Sequence, residues 1–362
     1  MSVTTAPPVL DRSDKTILFG GLGLVVLAGV AHFGSWNDVV AFVVSAAAVA
    51  VLASVVGRSV EQLGDRFGPG ATGVLQSALG NLPELFICIF SLKQGLVDVV
   101  RAALVGSILA NLLLVLGLAF LVGGLKHGPQ RLGSDRARTI TVLMLLSVTA
   151  MAIPSIAHWV HSPAAEHEQA LSVVVSVLLL GLFALSLPFS LRKEANAPRA
   201  ADAAQHEAPR WPVSLAVGLL AVAGVLAAFV SDWFVVALEP AMDSLGISQA
   251  FAGLVIVAIA GNAVENFVGI QLAAKGQSEY AFSVVLNSPL QIALVLAPVL
   301  VLVSQVFGLA SLTLVLGPML VVALVLAVML AAFISFDGES TWLEGATLIV
   351  LYGIIASAFW WG

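Results

Sequence analysis

The chain has 362 residues, of which 60% are hydrophobic and only 10% charged, with a formal net charge of −6 and a mean hydropathy of +1.05. A soluble domain carries about 25% charged residues, so an ordinary globular protein of any fold is excluded. The single cysteine, Cys88, excludes an intrachain disulfide and leaves the redox compartment unconstrained.

A helix crossing the ~30 Å hydrocarbon core takes about 20 apolar residues. Runs of that kind, bounded by charges or turn residues, lie near 15–34, 38–57, 69–93, 97–124, 137–160, 168–190, 212–238, 246–274, 279–305, 312–334 and 342–361. The first follows Arg12 and Lys15, as a signal peptide would, but no Ala-x-Ala site comes after it and its length suffices to span. With a cytoplasmic N-terminus and one crossing per run, 13 of the 15 Lys and Arg residues fall inside, and only Lys93 and Arg101 fall outside. That bias is the positive-inside pattern, and it puts the C-terminus outside. The expected location is a bacterial-type inner membrane, with the N-terminus cytoplasmic and the C-terminus extracytoplasmic.

The third run contains an anomaly. "GNLPE", Gly80–Glu84, places an amide, a proline and a carboxylate where lipid tails should be. Beyond the sixth run comes "RKEANAPRAADAAQHEAPRW", 192–211, rich in Ala, Pro and charge, which reads as a flexible cytoplasmic linker. Asp202, His206 and Glu207 could hold a cation there, but a solvated connector is the simpler reading. The eighth run repeats the anomaly as "GNAVE", Gly261–Glu265.

Shifting the sequence by 181 residues places Gly80, Asn81 and Glu84 on Gly261, Asn262 and Glu265, and continues with Gly95 on Gly276, Ser107 on Ser288 and Leu109 on Leu290. The second copy lies five runs after the first, an odd number, so the copies are inverted across the membrane. Inverted repeats with interrupted helices are typical of secondary transporters, which bind substrate near the midplane. Glu84 precedes Lys93 by nine residues and Glu265 precedes Lys275 by ten, so each carboxylate lies roughly 14–15 Å from a charged helix end. The fold expected is all-α and integral to the membrane. It has about eleven transmembrane helices: one extra N-terminal helix within 1–34, a first five-helix repeat at 35–190, the linker at 191–211 and a second, inverted repeat at 212–362.

An ionised carboxylate at the bilayer centre costs at least ~2.5 kcal/mol. No Lys, Arg or His lies in the middle of any run, which leaves a bound cation or bound protons to balance Glu84 and Glu265. Asn81 and Glu84, like Asn262 and Glu265, are three residues apart and are expected to share a helix face. Pro83 lacks an N–H and frees the carbonyl of Leu79; Pro289 does the same for Val285. Ala260, next to Gly261, is the third carbonyl candidate. Ser107, Asn111, Ser288 and Gln291 add oxygens, although each could equally be packing glue between helices. Carboxylate, amide and backbone oxygens without Cys or His suit a calcium-like cation, with Glu84 and Glu265 as the metal ligands.

Other polar residues read more simply. Gly80 and Gly261 allow close packing. Asp232, Glu239 and Asp243 form a solvated outer surface; His158, His161 and His167 form an outer loop; Glu61 and Asp65 balance Arg58 and Arg66. No phosphate loop, GxSxG elbow or HExxH is present, so no enzymatic activity is expected.

"GNLPELFICIFSLKQG", "GNAVENFVGIQLAAKG", "GSILANLLLVLG" at 106–117 and "NSPLQIALVLAPVLVL" at 287–302 resemble the cation/proton exchanger branch of the calcium/cation antiporter superfamily, over both repeats. The resemblance implies one extra helix and two inverted five-helix repeats, with Glu84 and Glu265 as the cation and proton carriers. Asn81, Asn262, Ser107, Ser288 and Gln291 fall on the family's polar positions. It implies Ca2+ and H+ as substrates exchanged by alternating access, with no separate cofactor and no nucleic-acid partner. The chain departs from the family pattern at Asn266, where His is usual, at Asn287, where Gly is usual, and at Pro289. An acidic helix between the halves, found in some relatives, is missing. A sodium-coupled or monovalent cation/proton exchanger on the same fold is the alternative. The absence of acidic residues from the middle of the fourth and ninth runs favours protons over sodium. A channel and a membrane-embedded hydrolase are further rivals, disfavoured by the inversion within one chain and by the lack of a catalytic motif.

Overall fold

The computed structural model describes residues 9–34, 36–67, 79–132, 135–195 and 210–361. Among the described residues twelve helices follow in order: α1 (Arg12–Phe33), α2 (Asp38–Phe67), α3 (Leu82–Lys93), α4 (Val97–His127), α5 (Asp135–Trp159), α6 (Glu168–Ala195), α7 (Val213–Leu245), α8 (Gln249–Gly261), α9 (Ala263–Ala274), α10 (Ser278–Val306), α11 (Pro318–Asp337) and α12 (Trp342–Phe359). Nine of the described helices are long and apolar enough to cross a membrane. The two remaining runs are interrupted. The run at 246–274 divides into α8 and α9 at Asn262, and α3 begins just after a turn at Gly80–Asn81. The all-α, eleven-span architecture therefore stands. The first part of the run at 69–93 and most of the linker, including Asp202, His206 and Glu207, lie outside the described residues.

The repeat is legible in the backbone. Adding 181 to the bounds of α3 (82 and 93) gives those of α9 (263 and 274), and adding it to the start of α4 (97) gives the start of α10 (278). Both long helices pass through a π-helical turn at matching places, Ala110–Val115 and Ile292–Leu296. Gly95 and Gly276, which lead into them, share a left-handed φ of 80° and 79°, a conformation open to glycine at no steric cost.

The chain groups into two compact units, Met1–Phe86 with Ala184–Ala241, and Ile87–Phe183 with Met242–Gly362. Each draws on both sequence repeats. In the first unit, Asp11 caps α1 by accepting the Asp14 N–H at 2.6 Å, while the Asp14 carboxylate accepts the Asp11 N–H at 3.0 Å. Asp14 is buried yet acts as a hub: Arg58 and the Trp211 indole N–H both donate to it. Arg210 pairs with Asp11 at 3.0 Å. The backbone N–H groups of Arg210 and Trp211 both donate to Gln62 Oε1, at 2.8 and 2.9 Å. The Asp14 N–H, with Arg210 acting in the same direction, holds the Asp11 carboxyl below the ordinary carboxylate range. Trp211 packs into an apolar pocket with Leu63 and Ala216. The last residues before α7 are thus fastened to the ends of α1 and α2. Farther along, Phe42 of α2 stacks on Phe234 of α7 with centroids 5.0 Å apart, and His32 of α1 stacks on Trp233 at 5.6 Å.

In the second unit, α4 and α8 approach backbone to backbone at Gly106 and Gly253. A two-residue antiparallel pairing joins Gln130–Arg131 to Glu339–Ser340. The run at 312–334 needs correction: its helix starts at Pro318, and the residues before it are not helical. Leu312, Leu314 and Leu316 are buried in alternation with Ser311, Thr313 and Val315, the period of an extended chain. Their N–H groups donate to hydroxyls from three helices, Ser304 at 3.1 Å, Ser172 at 3.0 Å and Ser155 at 2.9 Å. Those hydroxyls satisfy backbone donors that hydrocarbon could not, which permits an extended segment between two membrane helices.

Candidate functional site

The two glutamates occupy the same backbone position. Glu84 is the third residue of α3 and Glu265 the third residue of α9. A helix N-terminus presents partial positive charge, which favours an anion in the first turn. Glu84 is fully buried. The side chains of Glu265 and Asn266 lie outside the described residues.

The asparagines are placed differently from the sequence expectation. Neither shares a helix face with its glutamate; each stands at the break before the helix. Asn81 is in the turn, and its carbonyl accepts the Leu85 N–H at 2.9 Å to start α3. Pro83, the second residue of α3, explains this break: it has no N–H with which to continue a preceding helix. The second copy breaks without a proline. Asn262 has φ −107° and ψ 21°, in the sparsely populated bridge region. Its Nδ2 donates to the Ala258 carbonyl at 3.0 Å, competing for the oxygen that its own N–H reaches at 3.2 Å.

Four of the expected site residues come together in the second unit. Asn262 Nδ2 donates to Ser107 Oγ at 2.9 Å, and Ser288 Oγ donates to Asn262 Oδ1 at 3.4 Å. Asn111 Nδ2 donates to the Ser107 carbonyl at 2.9 Å and to Ser288 Oγ at 3.4 Å. All four side chains are buried. The network ties the middle of α4 and α10 to the break between α8 and α9. Part of the packing-glue reading is therefore correct for these groups, since they hold one another. One atom is left over. Asn111 Oδ1 is buried and accepts no hydrogen bond among the described residues. An unpaired buried acceptor costs about 1–3 kcal/mol and is suited to a cation or a water.

Asn111 opens the π-turn of α4 as its second residue, and Gln291, also buried, directly precedes the π-turn of α10. Such turns concentrate at functional sites because they release carbonyls from the regular ladder. Sequence reasoning missed them: nothing in "ANLLLV" or "IALVL" distinguishes them from ordinary apolar helix. Of the carbonyl candidates, Leu79 is the helical residue before the Gly80–Asn81 turn, Ala260 is buried near the end of α8, and Val285 is buried in α10 four residues before Pro289. Within the second unit, the network and the carbonyls of Ala260 and Val285 supply amide, hydroxyl and main-chain oxygens, a donor set for a hard cation.

The model of the family described as sodium/calcium exchanger protein matches residues 37–192 and 215–361. A Ca(2+)/H(+) antiporter of Aphanothece halophytica is 34% identical, covering 96% of this chain and 97% of its own length. The Ca(2+)/H(+) antiporter ChaA of Bacillus subtilis (strain 168) is 36% identical, covering 97% and 99%. Among solved structures, native YfkE is similar with a TM-score of 0.81 at 34% identity, covering 95% of this chain and 99% of that one.

Proposed function

The chain belongs to the sodium/calcium exchanger family, a family of transporters rather than enzymes, and from that premise we propose that it exports Ca2+ from the cytoplasm in exchange for protons. The observation that carries this reading is near full-length similarity, at 34–36% identity, to two proteins named as Ca(2+)/H(+) antiporters. The functional parts are the repeats at 35–190 and 212–362, joined by the linker at 191–211. Glu84 and Glu265 carry either Ca2+ or two protons. Asn81, Asn262, Ser107, Ser288, Asn111 and Gln291, with the carbonyls of Leu79, Ala260 and Val285, complete and orient the site.

Exchange follows from competition. Two carboxylates match one divalent charge or two protons, and the empty, doubly charged state is expensive inside a membrane. Alternation between inward-open and outward-open forms is therefore easy only when the site is loaded, and ions do not leak. The burial of Glu84 and the lack of acidic residues in the middle of α4 and α10 support protons as the coupling ion.

Calcium affinity should weaken as pH falls, by up to about tenfold per pH unit for each competing proton. Calorimetric titration of the purified protein from about pH 5.5 to 8.5 reads this directly. An affinity independent of pH refutes shared occupancy.

The N-terminus is cytoplasmic and the C-terminus extracytoplasmic in this reading. A reporter inserted after Ala204 should be cytoplasmic, and one fused after Gly362 should be external. Both on one side would remove the inverted arrangement.

A further inference from the structure

The carbonyls that end α9 are almost all accounted for by the turn that follows. The Lys275 N–H reaches the Gln271 and Leu272 carbonyls, the Gly276 N–H reaches Ala273, and the Gln277 N–H reaches Leu272, at 3.0–3.2 Å. None of these donors reaches Ala274. Its carbonyl lies 3.1 Å from His127 Nε2, at the end of α4. A carbonyl can only accept, so the imidazole is the donor there. The two helices run side by side through Ala119 of α4 and Ala273 of α9, with Ala281 of α10 in the same cluster. That packing brings the His127 ring to the α9 terminus, beside Gly276, where an added Cβ would lie 3.4 Å from the ring. Gly276 itself takes the left-handed φ of 79° that ends the helix.

We propose that His127 is a positioning residue for transport: a titratable cap on the C-terminus of the helix that carries Glu265. A neutral imidazole donates from Nε2 in only one of its two tautomers. The imidazolium always donates, and its charge also favours a helix C-terminus. Acid on the side where α4 and α9 end therefore firms the last turn of α9, and base loosens it. The charged residues on the elements that meet here are Lys126 on α4, Lys275 in the turn, Glu279 in the first turn of α10, and Arg131 and Glu339, paired in the small sheet.

The inverted repeat supplies a comparison. The first-repeat counterpart of α9 is α3, and the position 181 residues after His127 is Gly308. The residue that matches Ala274 is Lys93; its neighbour Leu92, which matches Ala273, accepts the Ala310 N–H at 3.3 Å. Glycine has no side chain, so the first repeat has no titratable group at the position that matches His127. The cap therefore belongs to one face, which in the orientation proposed above is the cytoplasmic one.

The role in transport rests on the exchanger reading; the cap does not, so the two are tested separately. Hydrogen–deuterium exchange of residues 271–277 is measured in full-length wild type and His127→Gln from pH 5.5 to 8. Glutamine keeps a donor but does not titrate, and the ratio of the two proteins at each pH cancels the intrinsic chemistry. The wild-type-to-variant ratio should fall about two- to fivefold from pH 8 to pH 5.5, the range for a cation at an exposed helix end. A constant ratio overturns the cap. In vesicles, calcium transport by His127→Gln should keep its maximal rate and depend less steeply on cytoplasmic pH than wild type. A profile identical to wild type overturns the positioning role. A ratio that moves in protein that carries no calcium for protons leaves the cap standing and removes the exchanger reading instead.

Discussion

Glu84→Gln and Glu265→Gln are each expected to abolish calcium-for-proton exchange, with losses on the order of 100-fold or more, in protein that still folds and inserts. Glutamine preserves the size of the side chain and one oxygen, but it cannot carry charge or release a proton. The carboxylate at this depth carries an insertion penalty of ~2.5 kcal/mol or more, and a change of that size in the loaded state is roughly a 100-fold change in rate. Glu84 is fully buried in the first turn of α3, and Glu265 holds the same position in α9. Radioactive calcium flux into vesicles bearing equal amounts of each protein checks this. Robust exchange by either variant would sink the two-carboxylate mechanism.

The second large effect is on stability. Gly106→Ala and Gly253→Ala should each destabilise the protein by at least about 3 kcal/mol. A Cβ on Gly106 would lie 2.2 Å from the Leu254 carbonyl oxygen, and one on Gly253 would lie 2.3 Å from that of Val99. Both obstacles are main chain, which cannot swing aside as a side chain would. Gly253 is in the π-turn Ala252–Val257, and Gly106 is next to Ser107 of the polar network. Forcing the helices apart would therefore also displace hydroxyls that Asn262 and Asn111 need. Gly23→Ala is the control: nothing lies within 4 Å of a Cβ there, and alanine is the better helix former by about 1 kcal/mol. Thermal unfolding in detergent should show a large drop for the first two variants and no drop for the control. Equal midpoints for Gly106→Ala and wild type would remove the close-approach account.

The span count, the extra first helix and the repeat were legible because each left a mark in composition or spacing. Apolar runs of membrane length are visible by eye, and GNxxE recurring at 181 residues is reproduced in the bounds of α3 and α9. The errors came where two local rules competed. Asn81 and Asn262 are expected on helix faces because they are three residues from a glutamate, yet Asn81 lies in the turn before α3 and Asn262 at the break between α8 and α9. At Asn81, the proline two residues later outweighs the apolar run. At Asn262, the amide takes a share of the Ala258 carbonyl. Residues 312–316 read as helix because they are apolar, but the alternation of Leu with Ser, Thr and Val is that of an extended chain. What holds that segment extended is three serines at 155, 172 and 304, far away in sequence. Gly106 and Gly253 went unnoticed for the same reason: a close approach belongs to two helices, and neither sequence shows the partner.

The central claim is that calcium moves against protons through one site. It is tested most directly by radioactive calcium uptake into everted vesicles, in which the cytoplasmic face is outward. A lumen made acid should drive calcium inward; a protonophore should stop the uptake; a lumen loaded with sodium at equal pH should drive none. Uptake driven by sodium and indifferent to the pH gradient, or no uptake by protein shown to be inserted, contradicts the account.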